Sequence, residues 1–155
     1  RLAYRDVSGV GNRPPLIAAI VPADVVTTHT LFCVRRSLPA MQQHFLCGVF
    51  NSYVVNTIVR MLMGSHVTTG LIEDLPLPVW SNSATDRRIA RLAAGLSRPA
   101  PGPAWHARLQ AAVARLFDLD AAAFASVLEG FPLVPEAERQ RALDVFTGRA
   151  PRITL

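Results

Sequence analysis

The stretch that most constrains this chain is LCGVFNSYVVNTIVRMLMGSHV, which begins at Leu46. It is apolar enough for a membrane span, yet Asn51, Ser52, Asn56 and Arg60 interrupt it. A spanning helix needs about 20 mostly apolar residues, and an arginine at the bilayer centre costs about 3 kcal/mol or more. The segment is therefore expected to lie against protein, and no membrane is expected as a partner. Residues Leu38 to Met63 read as one long helix, with Ser37 as its cap, Pro39 in its first turn and Gly64 at its end. At about 100° per residue, Leu46, Phe50, Tyr53, Val54, Thr57 and Met61 share one face. His44, Gly48, Ser52, Asn56 and Arg60 recur every fourth residue as a polar or small stripe. That stripe is suited to close packing against C-terminal helices or a neighbouring domain, and Asn51-Ser52 reads as packing rather than ligand contact.

Three extended stretches precede the helix: RLAYRDV, PLIAAIVP and the β-branched DVVTTHTLFCVRR, with SGVGNRPP as a turn between the first two. Together they predict an antiparallel sheet. GSHVTTGLIEDLPLPVW predicts a loop and a short strand. SNSATDRR is a polar break, and beyond it the pattern turns helical: ATDRRIARLAAGL, the linker SRPAPGP, WHARLQAAVARLFDL, DAAAFASVLEGF opened by Asp120, and PEAERQRALDVFTG opened by Pro135 and Glu136. The fold class is α+β: a small antiparallel sheet with one long packed helix (residues 1–80), then a layer of three to four helices (residues 81–155). Sheet and long helix alone would leave apolar surface open, so the two parts are expected to form one globular unit.

Half the 155 residues are hydrophobic and 17% are charged, which excludes global disorder. Net charge is +5, and all 16 Lys/Arg positions are arginine. A GC-rich genome accounts for the missing lysine, so position carries more information than count. Residues 1–60 hold Arg1, Arg5, Arg13, Arg35, Arg36 and Arg60 against only Asp6 and Asp24. Cys33 and Cys47 form no CxxC pair, which points to a reducing, cytoplasmic setting. The start has no signal-peptide pattern and lacks Met, so we expect a piece of a longer polypeptide.

Catalytic and metal motifs are poor. His29, Cys33, His44 and Cys47 carry zinc-competent groups, but the short paired spacings of zinc sites are missing. Ser65-His66 has no nucleophile elbow, and the Gly-x-Gly of SGVGN lacks the third glycine and the helix of a phosphate cradle. Asn12-Arg13-Pro14-Pro15 is not the Asn-Pro-Pro-aromatic motif of amino-methyltransferases, because Arg13 intervenes. No catalytic residue, metal or cofactor is expected in this chain. A binding surface is the better reading. Arg5, Asn12, Arg13, Thr28, His29, Arg35 and Arg36 lie on or beside the expected sheet, and Ser65, His66 and Thr68 follow the helix. These are the side-chain types that meet phosphates and base edges.

The order of segments resembles the C-terminal target-recognition domain of adenine-specific DNA methyltransferases in fused type II restriction–modification enzymes. These are the Taq-type specificity domains, related to type I specificity subunits. The matching positions are Arg5-Asp6, Asn12-Arg13, Pro22, Thr28-His29, Asn51-Ser52 and Leu75-Pro76-Leu77-Pro78. The tail ARLQAAVARLFDLDAAAFASVLEGFPLV is similar to the helical close of those proteins. Two positions depart: Pro14-Pro15 follows the turn where the family carries Thr, and Phe117-Asp118 replaces an aromatic-Gly pair. The resemblance implies double-stranded DNA as partner and a role in restriction–modification or phage defence. It also implies an upstream methyltransferase domain in the same polypeptide, with S-adenosylmethionine bound there, and leaves room for a nuclease further upstream. The rival expectation is an interaction module that docks on a methyltransferase without touching DNA.

Overall fold

The computed structural model describes residues 1–9, 11–97 and 102–149; most of the predicted linker SRPAPGP lies outside them. Three strands, β1 (Leu2–Arg5), β2 (Ala18–Ile20) and β3 (Leu31–Cys33), form an antiparallel sheet of order β2-β1-β3. The fold is α+β, as the sequence predicts, with a helical C-terminal part. Tyr4 pairs with Ala18 on one side and Phe32 on the other, and Leu2 pairs with Ile20. Directly opposed residues share a sheet face, so these residues line the inner face and pack into the core.

The single long helix is corrected to two: α1 (Ala40–Phe50) and α2 (Tyr53–Leu62), bent by 64° at Asn51-Ser52. Neither glycine nor proline makes this break. Ser52 adopts an extended backbone and caps α2, its hydroxyl accepting from the Val55 N–H at 3.2 Å. Asn51 turns its amide on to the edge strand, accepting from Ala18 N–H (3.1 Å) and donating to Ala18 C=O (2.8 Å). The β1–β2 ladder uses the neighbouring residues Ile17 and Val21, so Ala18 offers both groups outward. The buried Asn56 accepts from Leu16 N–H (2.7 Å) and donates to Phe50 C=O (2.8 Å) and Ser52 C=O (2.9 Å). The bend also rotates the predicted apolar face: Met61 is 78% exposed, although one straight helix would bury it.

After α2, a short helix α3 (Thr69–Glu73) stands where a loop and strand are predicted, because the Thr68 hydroxyl caps a turn at Leu71 N–H. The polar break then starts α4 (Ala84–Leu96) with a capping box between Ser83 and Asp86. There follow α5 (Pro103–Leu116), α6 (Ala121–Glu129), capped by Asp120, and α7 (Glu136–Thr147). Helix α1 packs on α4, and α5 packs on α4 and α7. Gly48 permits the first contact: a Cβ there would meet Ile89 at 3.0 Å and Ala93 and Leu109 at 3.1 Å. Ile89 and Leu109 belong to the same core as Leu2, Phe45 and Val59, so residues before and after position 80 share one interior. A second cluster joins Tyr53 and Val54 to Phe124, Leu128, Phe131 and Ala142. No single described helix is long and apolar enough to cross a membrane.

Replacing Asn56 strands two buried backbone groups, Leu16 N–H and Phe50 C=O, each costing about 1 kcal/mol or more, while Ser52 C=O keeps its bond from the residue-56 N–H. Asn56→Ala should therefore lower the unfolding free energy by about 2 kcal/mol in urea titrations. Asn56→Asp should cost as much, since a carboxylate has no N–H for Phe50 and Ser52. Met61→Ala, on an exposed side chain, should stay within about 0.5 kcal/mol of the parent.

Candidate functional site

Asp6, just beyond β1, ties three distant segments together. Its N–H donates to Thr30 C=O and its own C=O accepts from Val67 N–H, both at 2.9 Å. Its carboxylate lies 3.2 Å from His66 Nδ1. Val7 forms an antiparallel bridge with His66, and Ser8 N–H donates to Ser65 C=O at 3.4 Å. Asn12 folds back over this strand end, its amide oxygen accepting from the Arg5 guanidinium and Gly9 N–H at 3.1 Å and from the Ser8 hydroxyl at 3.0 Å. The Thr28 and Thr30 hydroxyls are 3.1 Å apart. One end of the sheet thus gathers Arg5, Asn12, Thr28, Ser65 and His66. His29 neighbours Thr28, and Thr68 follows as the α3 cap. Thr28, His29, Ser65, His66 and Thr68 are exposed; Arg5 is half-buried, with an Nε that finds no partner among the described residues.

Arg13 leaves this group. Its guanidinium, 52% exposed, meets the Glu138 carboxylate of α7 at 3.2 Å. The backbone around it is held as well, because Arg60 donates to the carbonyls of Asn12 (2.7 Å), Arg13 (2.8 Å) and Gly130, with its guanidinium 4.2 Å from the Phe131 ring centre. Glu138 also accepts from the Tyr53 hydroxyl at 2.7 Å and lies 3.4 Å from His106 Nδ1. His106 Nε2 in turn meets Gln110 Nε2 at 3.0 Å. Gln110 accepts from Tyr53 N–H (2.8 Å) and donates to Asn51 C=O (3.1 Å), spanning the α1–α2 break. Because Gln110 Nε2 can only donate, His106 accepts at Nε2 and carries its proton on Nδ1, facing Glu138. Burial lowers the His106 pKa, with Glu138 opposing and Arg13 reinforcing the shift. Burial and the bond to Glu138 raise that of Tyr53. Sequence reasoning does not single out Tyr53, His106, Gln110 or Glu138 as one cluster, since Glu138 stands 85 residues from Tyr53.

Arg35 and Arg36 lie at the other end of the sheet, beyond the bond from Val34 N–H to Leu2 C=O. With Arg1, Ser37, Leu38 and Gln43 they line a cleft of about 370 Å³. Arg1 donates to Val25 C=O at 3.0 Å, whereas Arg35 and Arg36 are exposed and make no side-chain bond among the described residues. Four residue steps along β1 take the chain from Arg1 to Arg5, about 13 Å at 3.3 Å per residue. The expected basic surface is therefore two stations on one sheet, with Arg13 turned toward α7. Of the four histidines and cysteines with zinc-competent groups, Cys47 is buried beside Ala18 C=O, and burial pushes its thiol up to about 11, opposed by Asn51. Protein-family models, curated proteins and solved structures were all compared with this chain, and none matches it.

The depressed His106 pKa has a definite sign. Between the folded value and the ordinary 6.5, the unfolded chain binds more protons, so stability falls as pH drops below about 6.5 and levels off under the folded pKa. Thermal melts from pH 7.5 to 5 should show Tm declining across this window. His106→Asn should flatten that decline, while His29→Asn, on an exposed loop residue, should leave it intact.

Proposed function

We propose that this chain is the DNA sequence-recognition domain of a restriction–modification or related phage-defence adenine methyltransferase. It is non-catalytic by itself and holds duplex DNA while an upstream domain of the same polypeptide, carrying S-adenosylmethionine, flips and methylates an adenine. The observation that carries this reading is the convergence of residues 5–12, 28–30 and 65–68 at one end of the sheet. There, the Ser8 hydroxyl and the Asn12 amide meet the Arg5 guanidinium, and the His66 imidazole stands beside the adjoining Asp6. Asn12, Thr28, His29, Ser65, His66 and Thr68 are the residues suited to base edges, and Arg5, Arg35 and Arg36 to phosphates. The 13 Å or so between the two stations matches about four base-pair steps at roughly 3.4 Å each. Arg13, paired with Glu138, serves mainly to fix the turn beside the site. The departure at Phe117-Asp118 also supports the family reading: Asp118 has φ 53°, in the left-handed region that favours the glycine expected there.

The second reading, docking on a methyltransferase without DNA contact, draws on Met61 and Leu62, which α2 leaves 78% and 58% exposed. Fluorescence anisotropy with a labelled duplex separates the two. Neutralising three phosphates should make affinity fall by roughly 40-fold between 50 and 200 mM salt. Arg5→Ala combined with His66→Ala should weaken binding at low salt by about tenfold or more, and Met61→Ala should not. Absence of duplex binding at 50 mM salt would overturn the DNA reading and leave the docking surface.

A further inference from the structure

The cleft at the Arg36 end of the sheet has chemistry of its own. Three arginines, Arg1, Arg35 and Arg36, line it, and no carboxylate does. Guanidiniums left unneutralised beside one another repel, and an anion with several acceptor oxygens relieves that repulsion through forked, charge-assisted bonds. A second feature points the same way. Helix α1 begins immediately beyond Ser37 and Leu38, and among the described residues no side chain caps its first N–H groups. Its positive end therefore adds to the field of the arginines. Gln43, in its first turn, commits Nε2 to Leu38 C=O at 2.7 Å, while its buried Oε1 finds no partner among the described residues. That oxygen lacks an N–H or O–H donor. Val34 and Leu38 supply an apolar wall. At about 370 Å³ the cleft lies within the usual range for small-molecule sites, and it is far larger than an inorganic ion needs.

We propose that this cleft binds a phosphate-bearing ligand the size of one nucleotide. The phosphate would sit against Arg35 and Arg36, and the ring against Val34 and Leu38. The ligand is either one nucleotide of a DNA strand or a free nucleotide. Only the first source rests on the DNA-recognition reading; the recognition of phosphate and ring does not.

The test uses the 155-residue chain and follows backbone amide shifts by heteronuclear NMR during titration with inorganic phosphate, dAMP and a short duplex. Binding of dAMP should move the amides of Val34 to Gln43, and should be tighter than that of inorganic phosphate. Arg35→Ala with Arg36→Ala should weaken dAMP about tenfold or more. Arg35→Lys with Arg36→Lys, which keeps charge but loses the fork, should lie between, and Arg91→Ala on α4 should change nothing. Binding of dAMP without any duplex binding would sustain the cleft and sink the DNA reading. Duplex binding that is lost with Arg5→Ala but untouched by the Arg35/Arg36 pair, together with no dAMP binding, would do the reverse. Equal losses from Arg91→Ala and the Arg35/Arg36 pair, or shifts spread over every arginine, would reduce the effect to unspecific charge and overturn the proposal.

Discussion

The structure depends on amide side chains standing in for backbone. Among the described residues its sheet has three short strands, and β2 is an edge with no further strand to pair it. The Asn51 amide completes both polar groups of Ala18, as a residue of a fourth strand would, and Asn56 does the same for Leu16 N–H. Gln110 performs the equivalent service at the α1–α2 break, joining Asn51 C=O and Tyr53 N–H. Each buried backbone group left unpaired costs about 1–3 kcal/mol, against a total stability of about 5–15 kcal/mol for a domain. The break in the helix is thus a structural requirement. A straight helix would place its own carbonyls and N–H groups in order but leave the edge of the sheet unpaired.

This arrangement transmits order to the candidate site. Once β2 is fixed, the preceding turn is held from two sides: Arg60 on α2 takes the carbonyls of Asn12 and Arg13, and Glu138 on α7 takes the Arg13 guanidinium. Asn12 then lies over Arg5 and Ser8. The C-terminal helices therefore do more than cover the sheet. They set the position of a turn more than 100 residues earlier in the chain, so a site on the sheet end would be sensitive to changes in α7.

Local signals made much of the fold legible. Ser83 with Asp86, Asp120 and Pro135 sit where α4, α6 and α7 begin, because a cap is a bargain between residues only a few positions apart. The apolar stretches gave the strands and their antiparallel order for the same reason. The α1–α2 bend was hidden, since Asn51 finds its partner 33 residues away and the Ser52 cap stands inside a run that otherwise reads as continuous helix. The candidate binding residues were legible as chemical types but not as a constellation. Arg5 ends β1 and Arg35 follows the neighbouring β3 by two residues, yet the register that pairs Arg5 with Leu31 and Ala3 with Cys33 carries Arg35 off the opposite end. Such spacing follows from strand pairing, which composition does not encode.

The absence of lysine takes on physical meaning at this level. Arg60 reaches three carbonyls, Arg115 reaches those of Val145 and Phe146, and Arg139 donates to Val134 C=O. A compact ammonium has neither the span nor the planar fork for such bridges, so several arginines act as clamps on helix ends and turns. Their charge contributes to the net +5 without being offered to a partner. Arg35 and Arg36 differ because they clamp nothing among the described residues, although they stand beside a cleft and a helix end of matching sign. Charge that stabilises no part of the fold is the charge most free to recognise something outside it.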